Sequence, residues 1–157
     1  MSGTGKNENK LIVGWREWVA LPDLEIQSIK AKMDTGARTS ALHTYFIEPI
    51  GDSIKPKVRF GIHPIQKSTK NVIICTADII DQRQIIDSGG HPELRYIIQT
   101  SIFAGDRKWP IDISLTNREQ MRFRLLIGRT AISNHLIIDP QLSFTLGRIS
   151  GTKQNET

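Results

Sequence analysis

The chain has 157 residues, enough for one domain with a real core and too few for two. Hydrophobic residues make up 38% and charged residues 24%, as in an ordinary soluble globular protein, and no apolar run approaches the length of a membrane span. A net charge of +5 and a pI near 9.6 favour acidic partners without naming them.

Residues 1–10 contain no apolar stretch, which argues against a signal peptide, and they read as a disordered tail. Residues 150–157 read the same way, leaving 11–149 as the expected domain. Residues 11–19 open the core, with Trp15 and Trp18 assigned to it. Residues 25–33 read as a strand, and residues 40–48 as a second strand returning from a loop at Asp34. Pro49-Ile50-Gly51-Asp52 reads as a turn. Strands are expected at 55–63 and 71–80, the latter carrying Cys75. A single cysteine allows no internal disulfide and fits a reducing cytoplasm, and in Val72-Ile73-Ile74-Cys75 it reads as core rather than nucleophile. Residues 85–86 and 94–101 flank Gly89-Gly90 as hairpin arms, and 102–103 and 109–115 flank a second turn. Residues 123–127 are expected as strand, 130–135 as a short helix, and 136–138 and 144–146 as final strands. Short strands at regular spacing predict an all-β barrel or sandwich.

The basic residues are spread along the chain. The densest group, Arg118, Arg122, Arg124 and Arg129, reads as a solvated face. A nucleic-acid patch is disfavoured, because few aromatic residues accompany it for base stacking.

The run 29–33 alternates, with Ile29, Ala31 and Met33 on one side and Lys30 and Lys32 on the other. It ends in Asp34-Thr35-Gly36, a strong turn signal. Gly36 lets the backbone turn and leaves its N–H exposed, and Thr35 adds a hydroxyl. A carboxylate fixed at a strand end can be aimed, as acid–base chemistry requires. The tripeptide alone also fits a simple Asx-turn. Two features shift the balance: Ala37, Ala41 and Leu42 return the chain to a core, and Leu125-Leu126-Ile127-Gly128-Arg129 closes a distant apolar run with Gly and Arg.

On these residues the sequence resembles the retropepsin-like aspartic peptidases. It is most similar to a bacterial subfamily long labelled ATP-dependent zinc proteases or left uncharacterised. Gly14 to Val19, Lys32 to His43 and Phe123 to Ala131 carry the likeness, which extends over about residues 11 to 147. It implies a closed acid-protease barrel with one short C-terminal helix. Asp34, Thr35 and Gly36 become the catalytic loop. Lys32, Ala37 and Arg38 become substrate contacts, with a flap matching roughly Ile85 to Tyr96 and Ser88, Gly89 and Gly90 at its tip. Gly128 would pack behind the loop, and Arg129 would brace the interior.

Aspartic peptidases need two carboxylates sharing one proton. This chain has one Asp-Thr-Gly, so the resemblance implies a two-fold homodimer with Asp34 of each copy at the axis. Two departures stand out. Lys32 shares the strand face of Asp34, where retroviral members are apolar. Arg38 stands where those members place a second aspartate, so it has no ion pair to offer Arg129. With the basic surface, the two cations fit either a preference for acidic peptides as substrates or ordinary solvated residues. Relatives associated with glutamate-adding ligases point to trimming of poly-glutamate tails.

The zinc label has no support in motifs. His43, His63, His91 and His135 lie far apart, without His-Glu-x-x-His or a cysteine pair. No phosphate loop is present, so neither metal nor cofactor is expected. His43, nine residues after Asp34, is the outside candidate for a site role. Two other classes fit the sequence: a non-catalytic peptide-binding module of peptidase shape, and a basic RNA- or ribosome-associated protein.

Overall fold

A computed structural model describes residues 9–65, 70–86, 89–117 and 122–147. The described residues are mostly strand. β1 (Leu11–Val13) leads through Gly14 to β2 (Arg16–Leu21). A 3-10 turn at Pro22–Leu24 precedes β3 (Ile26–Met33). Then come β4 (Ser40–His43), β5 (Phe46–Gly51), β6 (Pro56–Ile62), β7 (Ile73–Asp78) and β8 (Asp81–Ile86). β9 (Pro92–Ala104), β10 (Arg107–Thr116), β11 (Leu125–Ile127), helix α1 (Arg129–Ile132) and β12 (Leu136–Ile138) complete the order.

The large sheet runs β10-β4-β11-β3-β2-β9-β8, and β10 also pairs with β9, so the ladder returns on itself. β5, β6 and β7 form a separate three-stranded sheet, and β1 pairs β12 in parallel. The alternation in 29–33 predicts the burial. Ile29, Ala31 and Met33 join the core, while Lys30 and Lys32 take the other face. Their core neighbours include Leu42, Ile98, Ile113, Leu125 and Trp109.

The structure corrects several expectations. Residues 40–48 are two strands, not one. The Thr44 N–H and hydroxyl both donate to the Thr116 carbonyl, each at 2.9 Å, and the Tyr45 N–H donates to the Gly61 carbonyl at 3.0 Å. The chain thus leaves the large sheet and enters the small one. Pro49 and Gly51 end β5, an edge strand where proline is tolerated. The turn comes after them, with Asp52 Oδ1 accepting from the Ile54 and Lys55 N–H groups. The two expected hairpins share one long strand, β9.

Trp15 and Trp18 are half-buried rather than core: β2 turns Glu17 and Val19 inward and Arg16 and Trp18 outward, and Trp15 lies ahead of the strand, against Phe123 and the Arg16 guanidinium. Residues 144–146 form no strand. Phe144 has φ of 54°, and the following N–H groups go to the Glu17 carboxylate. Arg124 is not solvated: it is 1% exposed and donates from Nε to the His63 carbonyl at 3.0 Å.

Candidate active site

β11 runs parallel to β3, with Ile127 beside Met33. The chain therefore leaves both strands at the same end, and the segments starting at Asp34 and Gly128 emerge side by side. Hydrogen bonds join them. The Asp34 N–H donates to the Ile127 carbonyl at 2.8 Å, and the Arg129 N–H to the Ala37 carbonyl at 2.8 Å. The Thr130 N–H and hydroxyl both reach the Arg38 carbonyl, at 3.1 and 3.0 Å. Arg129 Nη1 donates to the Thr35 carbonyl at 2.9 Å. Gly128 sits where a Cβ would lie 2.6 Å from the Thr39 carbonyl carbon, and its N–H donates to Ser40 Oγ at 3.0 Å. Only glycine permits that approach.

Within the loop, the Gly36 N–H donates to Asp34 Oδ1 at 3.2 Å and the Ala37 N–H to the Asp34 carbonyl at 3.2 Å. Asp34 is half-buried, while Thr35, Gly36 and Arg38 are exposed. The turn is thus presented at the surface of the chain, not enclosed within it.

Asp34 lines a cleft of about 920 Å³. Lys32, Arg38, Arg83, Arg95 and Arg122 also line it, and among the described residues Asp34 is the one acidic side chain in its wall. The field in the cleft therefore favours anions. Arg83 and Arg95 face each other across the β8–β9 hairpin. Arg83 Nε donates to Asp81 Oδ2 at 2.8 Å, its Nη1 to Thr39 Oγ1 at 3.5 Å, and its Nη2 lies 3.8 Å from Asp112 Oδ2. The Arg83 guanidinium, with the Gln82 N–H, holds the Asp81 carboxyl below the usual carboxylate range. Arg95 pairs with Glu93.

Lys32, Asp34, Gly36, Ala37 and Arg38 come together in this cleft, and His43, 6% exposed, is in its wall. Ser88 lies outside the described residues. Gly89 and Gly90 sit at the exposed hairpin tip, with Gly90 at φ of 83°. Among the described residues, the arms line the cleft, through Arg83 to Ile86 and Arg95, and Gly89 and Gly90 do not. Arg129 is exposed and braces the Asp34 loop instead of the interior. Its partner in place of the missing aspartate is a backbone carbonyl.

Arg83, Arg95, Ser114 and Thr116 are wall residues that sequence reasoning missed. Arg83 shares the strand alternation of Ile85, which was the available signal. His135 stacks on Trp109 at 4.5 Å, and burial, aided by Arg107, pushes its pKa down. Among the described residues, no group of three or more His, Cys, Asp or Glu gathers as a metal would need.

The family model of the RimB-like proteins, described as retropepsin-like aspartic endopeptidase RimB, matches residues 12–148. The chain belongs to this family. A protein of Shewanella pealeana named probable alpha-L-glutamate ligase is 43% identical over 141 residues, covering 90% of this chain and 31% of its own length. One of Desulfotalea psychrophila with the same name is 39% identical, covering 90% and 30%. The chain thus spans about a third of these curated relatives. A crystal structure of a Legionella pneumophila protein of unknown function (DUF785) superposes with a TM-score of 0.71 at 29% identity. That likeness covers 86% of this chain and 97% of the other.

Proposed function

We propose that the chain is an aspartic endopeptidase that works as a homodimer and cuts acidic protein tails. The observation that carries this reading is the placement of Asp34. Its carboxylate opens into a cationic cleft, its loop is exposed, and the segment 127–130 ties that loop from behind.

In the proposed dimer, the Asp34 loops of two copies meet at the two-fold axis with the Thr35 hydroxyls between them. Two adjacent carboxylates share a proton, because both ionise together only at high cost. The ionised member takes a proton from water, and the protonated member donates toward the scissile carbonyl. The Gly36 N–H holds the carboxylate in plane with its partner. Gly128 and Arg129 keep the loop from moving during the exchange. The returning ladder of the large sheet is read as the closed acid-protease barrel, and the β8–β9 hairpin as the flap.

Lys32, Arg38 and Arg122 offer ionic contacts to substrate carboxylates. The relatives' name, a ligase for glutamate, supports glutamate-rich tails as the substrate class. Asp34→Asn lowers cleavage of a glutamate-rich peptide by about 10²–10⁴-fold in this reading and leaves the circular dichroism spectrum unchanged. Wild-type cleavage by the asparagine variant, or full activity from a species that sediments as a monomer, overturns it. Equal rates on glutamate-rich and neutral peptides remove the acidic preference alone. The buried single thiol suits a reducing cytoplasm as the place of action.

A further inference from the structure

The turn that carries Asp34 presents two cations beside its one acid. Thr35, Gly36 and Arg38 are exposed, and so are Arg129 and Thr130 at the start of α1. Hydrogen bonds join the two segments into one face. The Arg129 N–H donates to the Ala37 carbonyl, and the Thr130 N–H and hydroxyl donate to that of Arg38. Arg129 Nη1 reaches the Thr35 carbonyl at 2.9 Å, so its guanidinium sits on the turn itself. Arg38 lines the cleft together with Asp34. Arg59, Arg83 and Arg95 each lie against a carboxylate, of Glu48, Asp81 and Glu93 respectively. Arg38 and Arg129 have no carboxylate partner among the described residues. A neutral carbonyl accepts the Arg129 proton but brings no opposite charge.

A single chain tolerates this, because both guanidinium groups reach water. A pair of chains does not. With two Asp34 loops face to face, four guanidinium groups surround a carboxylate couple that shares one proton and carries one negative charge. Like charges within about 10 Å of one another are only partly screened at about 0.1 M salt. Closing the interface also expels water and lowers the local dielectric, which strengthens the repulsion. The axis therefore holds an excess of positive charge, and assembly is opposed unless an anion joins it. A guanidinium fork takes a carboxylate in bidentate fashion. The Asp34 turn and the first turn of α1 carry no aromatic ring on which a nucleobase could stack, which favours carboxylates over nucleic acid.

We propose that the Asp34 face is a dimer surface held open by its own arginines, and that an acidic peptide lying across both copies supplies the carboxylates that let it close. The proposal rests on the homodimer reading above and adds a means of control: the substrate assembles the site that cuts it. A peptide across the axis meets Arg38 and Arg129 of each copy, so one peptide serves two chains.

The test is the sedimenting mass, read in an Asp34→Asn background so that no turnover intervenes. At low salt and micromolar concentration the chain alone sediments as a monomer. A glutamate peptide of about ten residues converts it to a dimer, at one peptide per two chains, and a glutamine peptide of equal length does not. Adding Arg38→Gln relieves the repulsion. Without peptide its dimer dissociation constant is roughly tenfold lower than the parent's, and the gap narrows as salt rises. A dimer equally strong with and without the glutamate peptide overturns the proposal and leaves the homodimer reading intact. So does an Arg38→Gln dimer no tighter than the parent's. A monomer that persists at saturating peptide, with binding confirmed by fluorescence anisotropy, overturns the proposal. If the wild type then cleaves as that monomer, the dimeric reading falls as well. Assembly driven as strongly by a single-stranded RNA of equal charge overturns the assignment to an acidic peptide.

Discussion

Glu17 lies on β2 and Asp34 just past the end of neighbouring β3, yet their surroundings are opposite. Glu17 is fully buried and accepts four hydrogen bonds: from the Gly14 N–H at 2.7 Å, the Thr145 N–H and hydroxyl at 3.0 and 2.7 Å, and the Leu146 N–H at 3.1 Å. Asp34 is half-buried, and its carboxylate takes one donor among the described residues, the Gly36 N–H at 3.2 Å. A carboxylate with its acceptor sites filled organises the backbone around it. One with spare acceptor capacity in a cleft is available to a ligand. The same functional group thus serves structure in one place and is open to chemistry in the other.

Substitution should separate the two roles. Glu17→Ala leaves four donors without their acceptor and costs about 3 kcal/mol or more, read as a loss of midpoint in urea. Asp34→Asn changes stability by about 0.5 kcal/mol at most, since it removes no buried network. In the proposed reaction it lowers kcat by about 10²–10⁴-fold. A large stability loss in Asp34→Asn would collapse the distinction.

Gly128→Ala probes the support behind Asp34. Its Cβ would meet backbone, 2.6 Å from the Thr39 carbonyl carbon and 2.9 Å from the Ser40 nitrogen. Neither neighbour is the flexible end of a side chain, so the strand must shift, at about 1–3 kcal/mol. Because Thr39 follows the Asp34 loop, activity should fall further than stability alone explains. Arg129→Met is milder. It removes the bond to the Thr35 carbonyl and costs about 1 kcal/mol. Looser aim of the loop should lower kcat by about 10- to 100-fold with little change in Tm.

How much of this was legible in the sequence follows from the reach of each interaction. The alternation at 29–33 lies within one strand, so the burial of Ile29, Ala31 and Met33 could be read directly. The Asp34 turn and the Gly128-Arg129 element were each visible as local signals. The break at Thr44 was not, because Thr116, which causes it, is 72 residues away. The irregular path at Phe144 follows from Glu17, more than 120 residues earlier, and apolar content alone suggested a strand. Glu17 itself was detectable only as an acid in the inward register of Val19. The cleft cations Arg83 and Arg95 depend on how the β8–β9 hairpin lies over the site, which no local pattern encodes. Arg124 was misjudged because composition assigns arginine to solvent, while this one is enclosed next to His63.

Cys75 supplies the third case, burial with almost no donor set. Its thiol is 4% exposed, and among the described residues it donates one hydrogen bond, from Sγ to the Leu24 carbonyl at 3.5 Å. Burial first, and then the charge of Glu25, pushes its pKa up to about 12 from 9.0. The folded state therefore holds the proton more tightly than the unfolded chain does. The resulting stability is fully present below about pH 9 and is lost as pH rises toward 12. At neutral pH the group changes nothing, which makes this the smallest of the expected effects. Urea melts between pH 8 and 11 should show the wild type losing stability faster than Cys75→Ala, which carries no titrating thiol. Thiol reagents at pH 8 should label Cys75 only at the rate of unfolding. Fast labelling of the folded protein would show that this side chain resembles Asp34 in accessibility more than Glu17, and burial would no longer divide structural from reactive groups in this fold.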